Sequence, residues 1–590
     1  MSSNRKKKTA AASRVRARHL SVLALVSLFA ISIDGMAASN QTEVAMSKPW
    51  WLLAVVLGIG AVLGGRWVLA AREAEARQAQ ATAAALKARQ QLAAARTGQG
   101  RREYVLEVIS LGVTFDKFRQ GKLWDVLQTG NPYTSIREQD PKKYPWSDDD
   151  KLGTSGGRAG DTLENGAGYT VTEWGTPVFN AAPPNSSDDR DSPLSPDMGI
   201  AGSAEASGMS TSLFVAGPRR FAERPDRILE DVFDFFDANP DIPYIVLNSD
   251  DGMGLRDLSR PTGSPPLVKD GYYIPEMPDS SALFLLARRE RVDPIRPFVY
   301  DDIDDYRVGM DVLNRDGVAR RLFLGYLDLK KSVPRPKEPA WRTERAVTAS
   351  EWLDYAAKFG VRPDIRGTGP TSFLDRELNA KHLPPRDWKP TPWFPVPWSK
   401  TQLEQFDKLP TLGFIHRPVF VKTTDEHGKP LARRDARQKA LVEGLQEALR
   451  TLPEAARAKG PARVIAATND QTEQLIALEG MLRHYATQGG PEIDSGKLDK
   501  FINIDRRLGN TGAATLFMEM AIGVMGSYRA GGPSLAVNLR DPHEASFIFI
   551  SPPSEEKRKA QQHVRGGDVF RSIKSPAIDP ANYAVPVEAK

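Results

Sequence analysis

The strongest constraint on this 590-residue chain is a punctuated alternation of apolar runs that switch period. SLFVAG, Ser212 to Gly217, has the length of a short buried strand. Pro225 then opens a segment in which Ile228, Leu229, Val232, Phe235 and Phe236 recur at helical spacing until Asn239-Pro240 stops it. YIVLNSDD follows as a second strand that ends in acids. Strand, amphipathic helix and strand make a β-α-β unit, which requires parallel strands and a right-handed crossover.

The same grammar returns later in the chain. PVFVK precedes a segment with Leu441, Leu445, Ala448, Leu449 and Leu452 on one face, and ARVIAA is the next strand. Asp470-Gln-Thr-Glu473 then has the spacing of a capping box before a helix carrying Leu475, Leu478 and Leu482. An apolar helix, AATLFMEMAIGVMGSY, and a strand, SFIFISPP, complete the set. Earlier, YVLEVISLGVTF reads as a strand and FRQGKLWDVLQ as a helix. The predicted fold class is α/β, with two halves of mostly parallel β-α-β units at 103–345 and 410–555. A helix and a connecting arm occupy 346–409, and 556–590 is a polar tail.

That arm holds the densest composition bias in the chain. HLPPRDWKPTPWFPVPW, His382 to Trp398, contains six prolines and three tryptophans, which forbids a helix or a central strand and favours extended backbone. Trp388, Trp393, Phe394 and Trp398 are therefore either an arm packed on its own core or a partner-binding surface, where aromatic side chains concentrate.

The N-terminus reads as a membrane anchor. Leu20–Ile33 is a 14-residue apolar run behind RKKK and RVRAR, short for a span. The second run, within residues 49–71, reaches about 22 residues if Arg66 snorkels, close to the roughly 20 that a transmembrane helix needs. Met46 begins MSKPWW, so residues 1–45 are a leader that the native product is expected to lack if translation starts there. Residues 72–102 have high helix propensity and no continuous apolar stripe, the signature of a helical stalk. Basic residues cluster after the second run, and the positive-inside rule places the main domain in the cytoplasm beneath an inner membrane, with one or two spans. A cleaved signal followed by a periplasmic domain is the competing topology.

Charge and motifs exclude several function classes. Residues 1–102 hold 16 Lys/Arg against 4 Asp/Glu, and the remaining chain holds 64 against 70, so the folded part is mildly acidic and lacks a nucleic-acid footprint. With no cysteine there is no thiolate metal site or cysteine nucleophile. Seven histidines form no close ligand pair, and no phosphate-binding glycine signature follows a strand, so no metal or cofactor is expected. Asp250-Asp251 and Asp301, Asp302, Asp304 and Asp305 read as solvated loop acids, and Met518, Met520 and Met525 as core.

One motif argues for chemistry. Gly153-Thr154-Ser155-Gly156-Gly157 matches the G-x-S-x-G of serine hydrolases, with Asp541 and His543 as the downstream pair that a triad would need. Its flanks supply neither the strand before nor the helix after, so the segment reads as a polar, glycine-rich surface loop and no catalytic residue is assigned.

The order of segments is more informative than any motif. TEWGTPVFNA, IPYIVLNSDDGMG, PFVYDDIDDYRVGMDV, ASEWLDYAAKFGVRPDIRGTGPTSFLDREL, the Pro/Trp arm and NTGAATLFMEMAIG occur in sequence. Over about residues 103–555 the chain resembles the type VI secretion lipase adapter family. That resemblance implies a non-catalytic adapter that binds a phospholipase effector in the cytoplasm and assists its loading onto the secretion spike protein. A membrane-anchored hydrolase using Ser155 and a cell-envelope scaffold are the alternatives.

Overall fold

The computed structural model describes residues 105–572, apart from 168–174, 182, 184–198, 204–211, 221–223, 259, 261–262, 303–316, 333–346, 368–381 and 392. The leader, the 49–71 span and the 72–102 stalk lie outside the described residues, as do Asp304 and Asp305. No helix among the described residues is long and apolar enough to cross a membrane.

Fourteen strands form one mixed sheet. They are β1 (Val105–Phe115), β2 (Phe118–Arg119), β3 (Gly175–Ala181), β4 (Gly199–Ser203), β5 (Ser212–Arg220), β6 (Tyr244–Asp251), β7 (Ser280–Ala287), β8 (Val347–Thr348), β9 (Gly413–His416), β10 (Val419–Lys422), β11 (Arg463–Ala467), β12 (Phe501–Asn503), β13 (Ser534–Asn538) and β14 (Glu544–Ser551). The spatial order is β12-β11-β13-β14-β9-β1-β7-β6-β3-β5-β4-β8, with β10 beside β14 and β2 beside β1. β1 pairs with β9 at Val105–Val108 and with β7 along most of its length, so one ladder runs through both sequence halves. The principal helices are α1 (Gln120–Leu127), α2 (Asp148–Ala167), α3 (Arg227–Ala238), α4 (Met253–Leu258), α5 (Arg434–Leu449), α6 (Thr472–Thr487) and α7 (Thr515–Ala530).

Both β-α-β expectations are met. β5 and β6 each pair in parallel with β3, which lies between them, and α3 makes the crossover. Ile228, Leu229, Val232, Phe235 and Phe236 of α3 are all buried, as helical periodicity requires of a core-facing stripe. In the second half β11 pairs in parallel with β12 and β13, and Leu475, Leu478 and Leu482 of α6 are buried.

The expectation of mostly parallel strands is corrected: nine of the thirteen strand pairings are antiparallel. The antiparallel members include β1, β7, β9 and β14 at the centre of the order. A continuous apolar run identifies a strand covered on both faces but carries no direction. Short connections mark an antiparallel return at two places, Asp116-Lys117 between β1 and β2 and Leu539 to His543 between β13 and β14.

The core centres on α7, which packs against β11, β13 and β14 on one side and β1 and β7 on the other. Leu516 through Met525 are fully buried, a helix apolar nearly all round and therefore enclosed. Met518, Met520 and Met525 are core residues, as expected.

Candidate functional site

Ser155 does not lie in a loop. It sits within α2, and that expectation is corrected by a helix start hidden in an acidic run. Ser147 Oγ accepts a hydrogen bond from the Asp150 backbone N–H at 3.0 Å, and Asp148, Asp149 and Asp150 place negative charge at the helix N-terminus. Ser147-x-x-Asp150 is the capping signature that marks this start in the sequence.

Close approach and buried ion pairs hold α2 down. A Cβ on Gly112 of β1 would lie 2.0 Å from the Thr162 carbonyl oxygen, so this contact requires glycine. Arg158 is buried between Asp116 and Asp279, each 2.9 Å away, and Asp161 pairs with Arg119 at 2.9 Å. Tyr144 donates to Asp116 at 3.1 Å; burial, then the Asp116 charge, raise its phenol above the ordinary value.

Ser155 Oγ belongs to this network, donating to Asp279 Oδ1 at 2.7 Å. The cavity beside it holds about 30 Å³ and is lined by Tyr144, Lys151, Met253 and Tyr273 among others, with no histidine. A ligand pocket is typically ten times larger. His543 and Asp541 are 3.2 Å apart, but neither lines this cavity, and Asp541 is instead paired with Arg224. The serine, acid and base of the motif are therefore not assembled as a triad here.

The Pro/Trp arm is packed inward. Trp388, Trp393, Phe394 and Trp398 are each at most 8% exposed. Trp393 meets Phe235 of α3 edge-on at 5.6 Å and donates its Nε1–H to Asn239 Oδ1 at 3.1 Å. Trp398 packs on Phe406 at 5.2 Å, and Trp388 on Phe298 at 5.3 Å. In this conformation the four side chains offer almost no surface to a partner.

Two of the acids read as solvated are also interior. Asp251 is fully buried, accepting from Arg256 at 2.8 and 2.7 Å and from the Ala513 N–H at 2.7 Å. Gly512 makes room for it, since a Cβ there would meet Asp251 Oδ2 at 2.0 Å and its φ of 54° is left-handed. Asp302 is buried against the Tyr300 hydroxyl at 3.0 Å and the Val318 N–H at 3.1 Å. Burial, with Asp279 and Asp251 nearby, pushes Asp250 up to about 7.

Four of the six large apolar side chains that are exposed among the described residues lie on segments that the backbone brings together. Trp146, Leu258, Leu267 and Tyr272 are 37, 70, 42 and 36% exposed. Backbone ties bring their segments together: the Gly271 N–H donates to the Trp146 carbonyl at 2.8 Å, and Asp257 accepts from the Val268 N–H at 3.2 Å and from the Leu267 N–H. Lys151 Nζ bonds the carbonyls of Trp146, Lys269 and Gly271 at 2.6 to 2.9 Å and lies over the Tyr273 ring. These hydrogen-bonded segments present two aromatic and two leucine side chains to solvent, a composition suited to an interaction surface. Sequence reading missed it because these residues are scattered over 127 positions and converge only through the fold.

The described residues thus form a mixed α/β body that carries an exposed apolar patch. The chain matches the N-terminal region of the type VI lipase adapter protein Tla3 over residues 104–270 and the C-terminal region of the same protein over residues 412–552. It belongs to that adapter family. Solved structures with some likeness include an oxazolomycin ketosynthase domain from Streptomyces albus, at 8% identity and TM-score 0.32, covering 77% of this chain and 96% of that one. Human mitochondrial 3-ketoacyl-CoA thiolase in complex with CoA is 11% identical, with TM-score 0.29, over 76% of this chain and 98% of that one. OleA from Xanthomonas campestris with cerulenin is 10% identical, with TM-score 0.33, over 76 and 99%. Likenesses this low carry no argument about chemistry.

Proposed function

We propose that this protein captures a phospholipase effector through the apolar patch around Trp146 and Tyr272 and assists its loading onto the type VI spike. In this reading residues 49–71 anchor the chain in the inner membrane, the stalk supplies distance, and capture takes place in the cytoplasm. The observation that carries the proposal is the patch itself, which exposes Trp146, Leu258, Leu267 and Tyr272. Three of the four fall within the N-terminal adapter match at 104–270. Aromatic side chains bring large contact area for few rotatable bonds and are enriched among the residues that dominate binding energy.

A specific interface buries roughly 1,200–2,000 Å² in total, so the patch is the centre of a larger footprint. Its test is Trp146→Ser combined with Tyr272→Ser in the full chain, with binding to the purified lipase effector of the same strain measured by biolayer interferometry. At least tenfold weaker binding with an unchanged melting temperature is expected. Wild-type affinity in the double variant removes the patch as the docking surface.

A further inference from the structure

A second feature of the molecule has no part in that capture. Four strands release polar residues into one cleft of about 460 Å³: Arg224 follows β5, Arg256 follows β6, Asn469 follows β11 and Arg540 follows β13. Asn510, just before α7, and Asp541 complete the polar lining. The carboxyl ends of strands are where open α/β sheets place ligands, and the volume lies in the range of small-molecule pockets.

The distribution of spent and unspent hydrogen-bonding groups indicates what the cleft takes. Its one acid is occupied, with Asp541 Oδ2 on Arg224 at 3.1 Å and Oδ1 on the His543 N–H at 2.8 Å. Arg256 gives Nε and Nη2 to Asp251, which leaves its Nη1 group with no protein acceptor among the described residues. Arg540 differs: its guanidinium reaches the Gly512 carbonyl at 2.9 Å, Asn510 Oδ1 at 3.0 Å and the Thr515 hydroxyl, all neutral. Among the described residues no carboxylate lies within ion-pair distance of it. Burial lowers its pKa, while Asp505, Glu519 and Asp251, near but not in contact, act in the opposite direction. The Oδ1 of Asn510 is used by Arg540 and by the Gly512 N–H, which leaves its NH₂ group with no protein acceptor among the described residues. Asn469 is exposed and held at a φ of 54°, followed by Asp470 at 55°, two consecutive left-handed residues that lack glycine's freedom.

We propose that this cleft binds a phosphate group, free or as a small phosphomonoester, between Arg540, Arg256 and the amides of Asn469 and Asn510. Donors on several walls suit a tetrahedral oxyanion with three or four terminal oxygens better than a planar carboxylate with two. The cleft shares no lining residue with the four patch side chains, although α4 contributes Arg256 to one and Leu258 to the other, and its test uses no lipase, so its failure would leave the capture reading intact.

The test uses isothermal titration calorimetry on the full chain in detergent, with inorganic phosphate and with glycerol phosphate, against sodium chloride at matched ionic strength. Saturable binding is expected for the wild type. Arg540→Gln, and independently Asn469→Asp, which puts a negative charge on an exposed rim, should each weaken it at least tenfold; Asn469→Asp should keep the unliganded melting temperature. Tighter glycerol phosphate binding identifies an ester and equal binding a free phosphate, and both uphold the proposal. No saturable heat with either probe, or wild-type affinity in Asn469→Asp and Arg540→Gln, overturns it.

Discussion

Two helices pack against the sheet of this protein, α7 enclosed and α2 buried along one face, and they are held there by opposite means. α7 is apolar on nearly every side, and Leu516 to Met525 have no solvent contact. α2 is glycine-rich and charged; it lies on β1 and β7 through the Gly112–Thr162 contact and through Arg158, Asp161 and their partners. The hydrophobic effect encloses the first whatever the detail of its neighbours. The second requires each buried charge to find its counterpart, because an unpaired interior charge costs several kcal/mol. Burial therefore has two routes in one chain, one general and one specific.

The contrast can be broken from either side. Arg158→Ala removes one cation and strands Asp116 and Asp279, and should cost about 3–5 kcal/mol in urea unfolding. Met520→Ala opens a cavity in α7 and should cost about 2–5 kcal/mol, with smaller losses where neighbours close in. A stability loss for Arg158→Ala well below that for Met520→Ala would contradict the specific route.

A pH experiment sharpens the same contrast inside α7. Glu519 is fully buried, neither carboxylate oxygen has a hydrogen-bond partner, and burial, followed by Asp505, raises its pKa well above the ordinary value. The folded state therefore binds this proton more tightly than the unfolded chain does. Its contribution is fully present below the unfolded carboxyl range and is lost as pH rises toward the folded pKa. Glu519→Gln should accordingly gain stability relative to wild type between pH 5 and pH 8, with a slope no steeper than about 1.4 kcal/mol per pH unit. A difference that does not vary with pH would show that the carboxyl is not held neutral. The smallest effect belongs to Ser155→Ala, which loses one hydrogen bond to Asp279 and about 1.5 kcal/mol. Ester hydrolysis by the wild type that disappears in Ser155→Ala would instead reinstate the serine as a nucleophile.

The same two routes explain what was legible in the sequence. α3, α6 and α7 were readable because apolar burial leaves a local period or a continuous run. α2 was not, because its support comes from Gly112, Asp116 and Asp279, with Asp279 121 positions from Arg158. Ser147-x-x-Asp150 was the one local signal, and the glycines after it masked it. Strand direction was unreadable for β7 and β9, which meet their partners across long connections and whose runs look alike in either orientation. The aromatic arm was conspicuous by composition, but Trp393 and Trp398 would look the same in a core as at an interface. The patch at Trp146, Leu258, Leu267 and Tyr272 left no pattern at all, since its members belong to segments joined only by long-range hydrogen bonds.

The proposed capture of a lipase effector is tested by a direct binding measurement. The full-length chain in detergent, titrated with the purified type VI lipase effector of its own strain, should form a saturable complex. The Trp146→Ser, Tyr272→Ser double variant should bind at least tenfold more weakly while unfolding at the same temperature. A wild-type chain that folds but shows no affinity for that lipase would contradict the account.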